Sequence, residues 1–235
     1  MIIFSMAGNG KRFVDEGYKT PKALLNINGK TLFQRAVLTF KTFFNEEDFV
    51  FLYRTDIYNK DNLSKQLTSI GLFDKCQYQG FNTVTKGQAH TIYEYTNYLN
   101  NNLTDPLIIF NIDTFYQLPD EGNHFKFYLN RQSFIDTFLA DGDHWSFVIS
   151  DNGIVKKVAE KKRISDQCST GLYGFSSIES FNRCYRNYHE DYGSMEHYIM
   201  PLYNLLMQKE IVYENPVLSN QVIVCGTPKE YEAIK

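Results

Sequence analysis

The sequence predicts a single α/β domain, in which a mixed, mostly parallel sheet of Rossmann-like type is flanked by helices. Three observations carry this expectation. Apolar runs of strand length alternate with helical patterns through the first half of the chain, the mark of right-handed βαβ units. The strongest runs, residues 1–7 and 106–113, are nearly continuously apolar, as strands covered on both faces require. The 235 residues are 43% hydrophobic and 22% charged, an ordinary globular balance, with no repeat, low-complexity tract or linker to divide them.

Residues 1–7 form the first strand, and residues 8–29 a long glycine-rich, basic loop. A loop of that length inside one domain is usually functional. Thr31 opens a helix, with Gln34 completing a capping box and Leu32, Ala36, Val37, Phe40 and Phe44 along one face. Residues 48–53 read as a strand, 62–70 as a helix closed by Gly71, 76–79 as a strand and 87–99 as a helix. The run 106–113 is the clearest strand and ends in a carboxylate. Residues 145–150 and 154–159 flank Asp151-Asn152-Gly153, a hairpin turn signal. Residues 171–175 and 221–225 are further strands, 195–207 is a helix that Pro201 kinks or delays, and Pro228 opens a terminal helix.

Composition removes several functions. The 24 basic and 27 acidic side chains give a net charge of −3 with no long run of Lys or Arg, so no nucleic-acid partner is expected. The four cysteines stand far apart without metal-ligand or C-x-x-C spacing, which suits reduced thiols in a cytoplasmic protein. The apolar N-terminus lacks a basic leader and soon meets Gly8 and Lys11, so it is expected to be a core strand, neither signal peptide nor membrane span. The five histidines show no zinc spacing, and no G-x-S-x-G elbow supports hydrolase chemistry.

Three constellations carry chemistry. In Gly8-Asn9-Gly10-Lys11-Arg12, glycines allow main-chain N–H groups to approach an anion, and the loop holds more basic than acidic residues. Lys22, held by Pro21, can neutralise a transferring phosphoryl group or stand as a surface lysine. Asp113 ends the strongest strand, where open α/β sheets place ligands; its carboxylate can hold Mg²⁺ or cap a helix.

Together these residues resemble a known family. The segment Met6-Ala7-Gly8-Asn9-Gly10-Lys11-Arg12-Phe13, then Gly17-Tyr18, Pro21-Lys22-Ala23-Leu24-Leu25 and Ile27-Asn28-Gly29-Lys30, is similar to the signature of sugar-phosphate nucleotidylyltransferases. Lys86-Gly87-Gln88-Ala89 resembles the family's base-reading segment, Asn111-Ile112-Asp113 its metal aspartate, and Glu160-Lys161 its sugar-phosphate pair. Thr170-Gly171-Leu172-Tyr173 and Gly226-Thr227-Pro228 resemble two later motifs, so the likeness covers nearly the whole chain.

The resemblance implies the nucleotide-diphospho-sugar transferase fold over residues 1–235. It implies transfer of a nucleotidyl group, with a pyrimidine base favoured, to a sugar 1-phosphate or similar small phosphorylated substrate, serving surface polysaccharide synthesis. It assigns the triphosphate to Ala7, Gly8, Asn9, Gly10, Lys11 and Arg12, and charge stabilisation to Arg12 and Lys22. It assigns Mg²⁺ to Asp113, the base to Gln79, Gly87 and Gln88, and the acceptor to Glu160, Lys161 and Gly171. One departure is that the family's second metal aspartate is replaced by Val224; Glu196 and Asn220 are candidate substitutes. A glycosyltransferase of the same fold is disfavoured because the Gly8-to-Arg12 loop and Pro21-Lys22 resemble the triphosphate signature, and only the missing aspartate favours a non-catalytic nucleotide sensor.

Overall fold

The computed structural model describes residues 1–118, 121–191, 193 and 196–235. The chain begins with β1 (Ile2–Met6), the short helix α1 (Lys11–Asp15), and the two-residue strands β2 (Asn26–Ile27) and β3 (Lys30–Thr31). Next come α2 (Leu32–Leu38), β4 (Phe49–Arg54), α3 (Lys60–Thr68), β5 (Cys76–Phe81), α4 (Gln88–Thr96) and β6 (Leu107–Phe110). The middle of the chain gives β7 (Thr114–Tyr116), α5 (Glu121–His124), α6 (Lys126–Leu129), β8 (Ser133–Leu139), β9 (Ser146–Asp151), β10 (Ile154–Glu160) and β11 (Gln167–Phe175). It ends with α7 (Ile178–Tyr188), α8 (Tyr203–Leu206), β12 (Val212–Pro216), β13 (Val222–Val224) and α9 (Pro228–Ile234).

Nine strands form the main sheet in the order β5-β4-β1-β6-β11-β8-β12-β10-β9. The first four pair in parallel, as expected for βαβ units, and so do β8 and β12. The remaining neighbours are antiparallel, so the sheet is divided between the two modes and is not mostly parallel. Strand β9 also meets the start of β11, Phe147 opposite Cys168, and curls the far end of the sheet back on itself.

Residues of β1 alternate between two apolar layers. Ile3, with Val50 and Ile109, packs beneath α4 and α7, while Ile2 and Phe4, with Phe51 and Phe110, pack beneath α2 and α3. This alternation is the period-two geometry of strands, and it makes a helix–sheet–helix sandwich. Helix α2 starts at the expected capping box, where Thr31 Oγ1 accepts from Gln34 N and Gln34 Oε1 accepts from Thr31 N.

The sequence reading needs four corrections. The loop 8–29 contains α1, a 3-10 turn at Lys22–Leu24 and most of the β2–β3 hairpin. The helix expected over residues 195–207 is shorter among the described residues, and residue 195 itself lies outside them. The chain is non-helical at residues 196–198 and turns through Met200–Leu202 before α8. Strands β8 and β12 were hidden because Asp136, Thr137, Glu214 and Asn215 interrupt their apolar patterns yet are buried. Those polar groups satisfy one another: Asp136 accepts from Asn215 Nδ2 at 2.8 Å and Thr137 Oγ1 donates to Glu214 at 2.7 Å. Helix α7, capped by Ser177, was also passed over.

Candidate active site

The parallel strands β4, β1 and β6 end on one edge, and the loops beyond β1 and β6 border a cleft of about 650 Å³. Ala7, Gly8, Asn9, Gly10, Lys11 and Arg12 form one wall of this cleft. Gly10 takes a left-handed conformation, φ +59, at the start of α1, a turn that glycine adopts without strain. No side chain caps α1. Asn9 anchors the loop from below, its Oδ1 accepting from Arg54 Nη1 at 2.9 Å, while Arg54 is itself paired with Asp56.

Asp113 borders this cleft and forms an ion pair with Lys22, 91 residues away, which does not line the cleft itself but a smaller pocket shared with Gly8, Asn9 and Gly10. Pro21 sets the start of the 3-10 turn that carries Lys22, and the ammonium lies 5.4 Å from the centre of the Phe13 ring. Burial alone would push the Asp113 carboxyl up. The Lys22 charge and hydrogen bond outweigh that and hold it below the usual carboxylate range. Asp113 O also accepts from Cys225 N at 2.7 Å, and Val224 pairs with Thr114, so valine stands beside the carboxylate as expected.

Glu160 and Lys161 form the opposite wall, at the end of the β9–β10 hairpin. Ser146, opposite Glu160 in that hairpin, donates its hydroxyl to the carboxylate. Burial raises the Glu160 pKa; the Ser146 hydrogen bond and Lys161 oppose the shift, and Glu196 adds to it. Lys161 donates to the Tyr198 hydroxyl, which donates to Glu196 at 2.6 Å. Glu196 therefore serves the lysine wall and, among the described residues, joins no carboxylate cluster around Asp113. Of the two candidate substitutes, Asn220 is exposed and outside the cleft, whereas Glu196 borders the same cleft as Asp113.

Gly87 and Gln88 border the cleft at the start of α4, and Gln88 Nε2 donates to Asn111 Oδ1 at 2.9 Å. Gln79 does not belong to the cleft wall: it is exposed on the edge strand β5 and donates to Gly80 O. Gly171 lies beside Asn111 in a second chamber of about 150 Å³ that opens behind Asp113. Trp145, Thr170, Thr227 and Glu230 line this chamber, and Arg12 and Asn111 border both spaces. Sequence reasoning gave no role to Ser146, Tyr198 or Glu230. The cross-hairpin position of Ser146 could have been found by counting back from Glu160, whereas Tyr198 and Glu230 become neighbours of the site only in the folded chain.

No protein-family model and no curated protein matches the chain. Solved structures do. A nucleoside-diphosphate-sugar pyrophosphorylase from Vibrio cholerae RC9 is 32% identical with a TM-score of 0.86, over 100% of this chain and 99% of its own. A putative glucose-1-phosphate thymidylyltransferase from Bacillus anthracis, 16% identical, gives 0.79 over 99% of this chain and 92% of its own. The inositol-1-phosphate CTP transferase from T. maritima, 14% identical, gives 0.73 over 97% and 90%. The last two share the fold. The first shares sequence as well, end to end, and with it the chain belongs to the sugar-phosphate nucleotidylyltransferases.

Proposed function

We propose that this enzyme joins a nucleoside triphosphate, a pyrimidine nucleotide by preference, to a sugar 1-phosphate or similar small phosphorylated acceptor and releases pyrophosphate. The observation that carries the reading is the Lys22–Asp113 pair, whose carboxylate borders the cleft shared by the open glycine-rich loop and the Glu160–Lys161 wall. Solved structures of the same fold are named for thymidylyl, cytidylyl and UDP-glucose chemistry, which supports the pyrimidine preference. Synthesis of activated sugars for surface polysaccharide, in the cytoplasm, is the role this activity would serve. Among the described residues no helix is long and apolar enough to cross a membrane.

An oxygen of the acceptor phosphate attacks the α-phosphorus, the new P–O bond forms, and the α–β bridging oxygen leaves with pyrophosphate. The nucleophile is already ionised, so no side chain need act as base, and catalysis reduces to positioning and charge neutralisation. Gly8, Gly10, Lys11 and Arg12 hold the triphosphate, and Lys22 faces the charge gathering at phosphorus. Glu160, Lys161 and Gly171 receive the acceptor, while Gly87 borders the base. Mg²⁺ typically takes one or two carboxylates together with substrate phosphates and water, and Asp113, kept ionised, fits that need. When bound there, the cation would neutralise phosphate charge.

The test is release of pyrophosphate from CTP, UTP, dTTP, GTP or ATP with Mg²⁺ and a panel of sugar and polyol phosphates. Pyrophosphate formed only when both substrates are present is the expected result. Its absence from every pair would sink the reading.

A further inference from the structure

The Gln88–Asn111 contact does not fit a side chain that reads a base. Two main-chain hydrogen bonds fix the start of α4: Ala89 N donates to His197 O at 2.8 Å, and His197 N donates to Lys86 O at 2.9 Å. From this anchored position the Gln88 amide reaches the end of β6 and donates to Asn111 Oδ1. Asn111 stands two residues before Asp113 and borders both the main cleft and the small chamber. Its own Nδ2 fills the space that a side chain at position 171 would need, since a Cβ on Gly171 would fall 2.0 Å away. With Oδ1 engaged by Gln88, Asn111 turns its N–H₂ group toward Gly171, on the chamber side.

We infer that Gln88 is a positioning residue for the acceptor, orienting Asn111 so that its N–H₂ donates to an acceptor oxygen beside the reacting phosphate. This rests on the nucleotidyl-transfer reading and narrows its substrate class. The acceptor carries a hydroxyl near its phosphate, as a sugar or polyol phosphate does and an unsubstituted alkyl phosphate does not.

Two variants test it by separate routes. Gln88→Met keeps the length of the side chain but frees Asn111. Asn111→Asp keeps an oxygen for Gln88 but removes the N–H₂ donor. For Gln88→Met, calorimetry should show triphosphate binding unchanged, which also shows that the variant is folded; Asn111→Asp adds a charge near Asp113, so its acceptor KM is read at saturating triphosphate. The acceptor KM should rise about tenfold, the order expected when one hydrogen bond is lost and its partner left unpaired. Wild-type protein should also prefer the hydroxylated acceptor over its deoxy analogue, and Gln88→Met should narrow that preference. A loss concentrated in triphosphate affinity would return Gln88 to the base and overturn the inference. So would an unchanged acceptor KM in both variants alongside normal wild-type turnover. Failure of the wild-type protein itself to release pyrophosphate would instead remove the transfer reading on which this rests.

Discussion

The two walls of the cleft are built in opposite ways. On the glycine-rich wall, a Cβ added at Gly8 or Gly10 would meet nothing within 4 Å, and Lys11 and Arg12 are exposed. The wall is open space edged with positive charge. On the far wall nearly every group is already engaged: Ser146 with Glu160, Lys161 with Tyr198, Tyr198 with Glu196, and Asn111 with Gln88. Behind it, the Tyr116 hydroxyl bonds Thr170 and Asp136, which also holds His124 and Asn215. The difference teaches how each wall can hold its ligand. A triphosphate, rich in charge, can complete an open loop with its own oxygens, whereas a small acceptor needs a surface prepared beforehand.

The largest effect should come where the walls meet. Lys22→Ala removes a preorganised charge and should lower kcat roughly 10²–10³-fold, about 2.7–4 kcal/mol, with a modest change in substrate binding. Asp113→Asn should be similarly severe, with a defect that shrinks as Mg²⁺ or Mn²⁺ is raised, while Lys22→Ala shows no such rescue. Steady-state kinetics across a metal titration decides between them. Near-normal turnover by Asp113→Asn at low metal would remove the carboxylate from the reaction.

On the prepared wall, Lys161→Ala should raise the acceptor KM about tenfold and leave triphosphate affinity intact. An equal loss on both substrates would show that the walls are not separate. On the open wall, a Cβ at position 10 meets no protein atom within 4 Å, and Gly10→Val costs folding roughly 1–2 kcal/mol through the left-handed backbone. Titration calorimetry should nevertheless show weakened triphosphate binding. A variant with the wild-type affinity would free that wall of its assigned ligand.

The smallest effect concerns the brace behind the prepared wall. Burial lowers the His124 pKa, but the adjacent Asp136 carboxylate outweighs it, so the folded value lies above the ordinary one. The folded protein therefore keeps a proton that the unfolded chain sheds near pH 6.5. The resulting stability is fully present below that pH and is lost as pH rises through the folded pKa. Melting temperatures measured from pH 5.5 to 8.5 should show this decline in the wild type and a flatter profile in His124→Gln. Parallel profiles would detach His124 from the brace.

The sequence spoke clearly where local rules decide. Thr31 and Gln34 announced a capping box, Asp151-Asn152-Gly153 a hairpin, and Gly10 and Pro21 two tight local turns, because each signal lies within a few residues. It was silent where burial depends on distant partners. Asp136 looks like a break in a strand until Asn215, Tyr116 and His124 surround it. Gln79 stands exposed on the edge strand β5 and outside the cleft lining, a place that its position in the sequence does not announce. Gln88 was rightly placed at the cleft, but only the fold shows what its side chain holds.

The closing contacts of the site also carry a timetable. Strand β13 lies against β7, Cys225 N reaches Asp113 O, Arg12 reaches Gly226 O, and Tyr231 hydroxyl reaches Asn26 O across 205 residues of sequence. A ribosome makes the glycine-rich loop and Asp113 long before it makes the segment that seals them together. Every strand of the main sheet is complete by Pro216, so the scaffold can form while the catalytic floor still waits for its last side. Competence to react thus waits for residues 222–231, after the architecture that will support it.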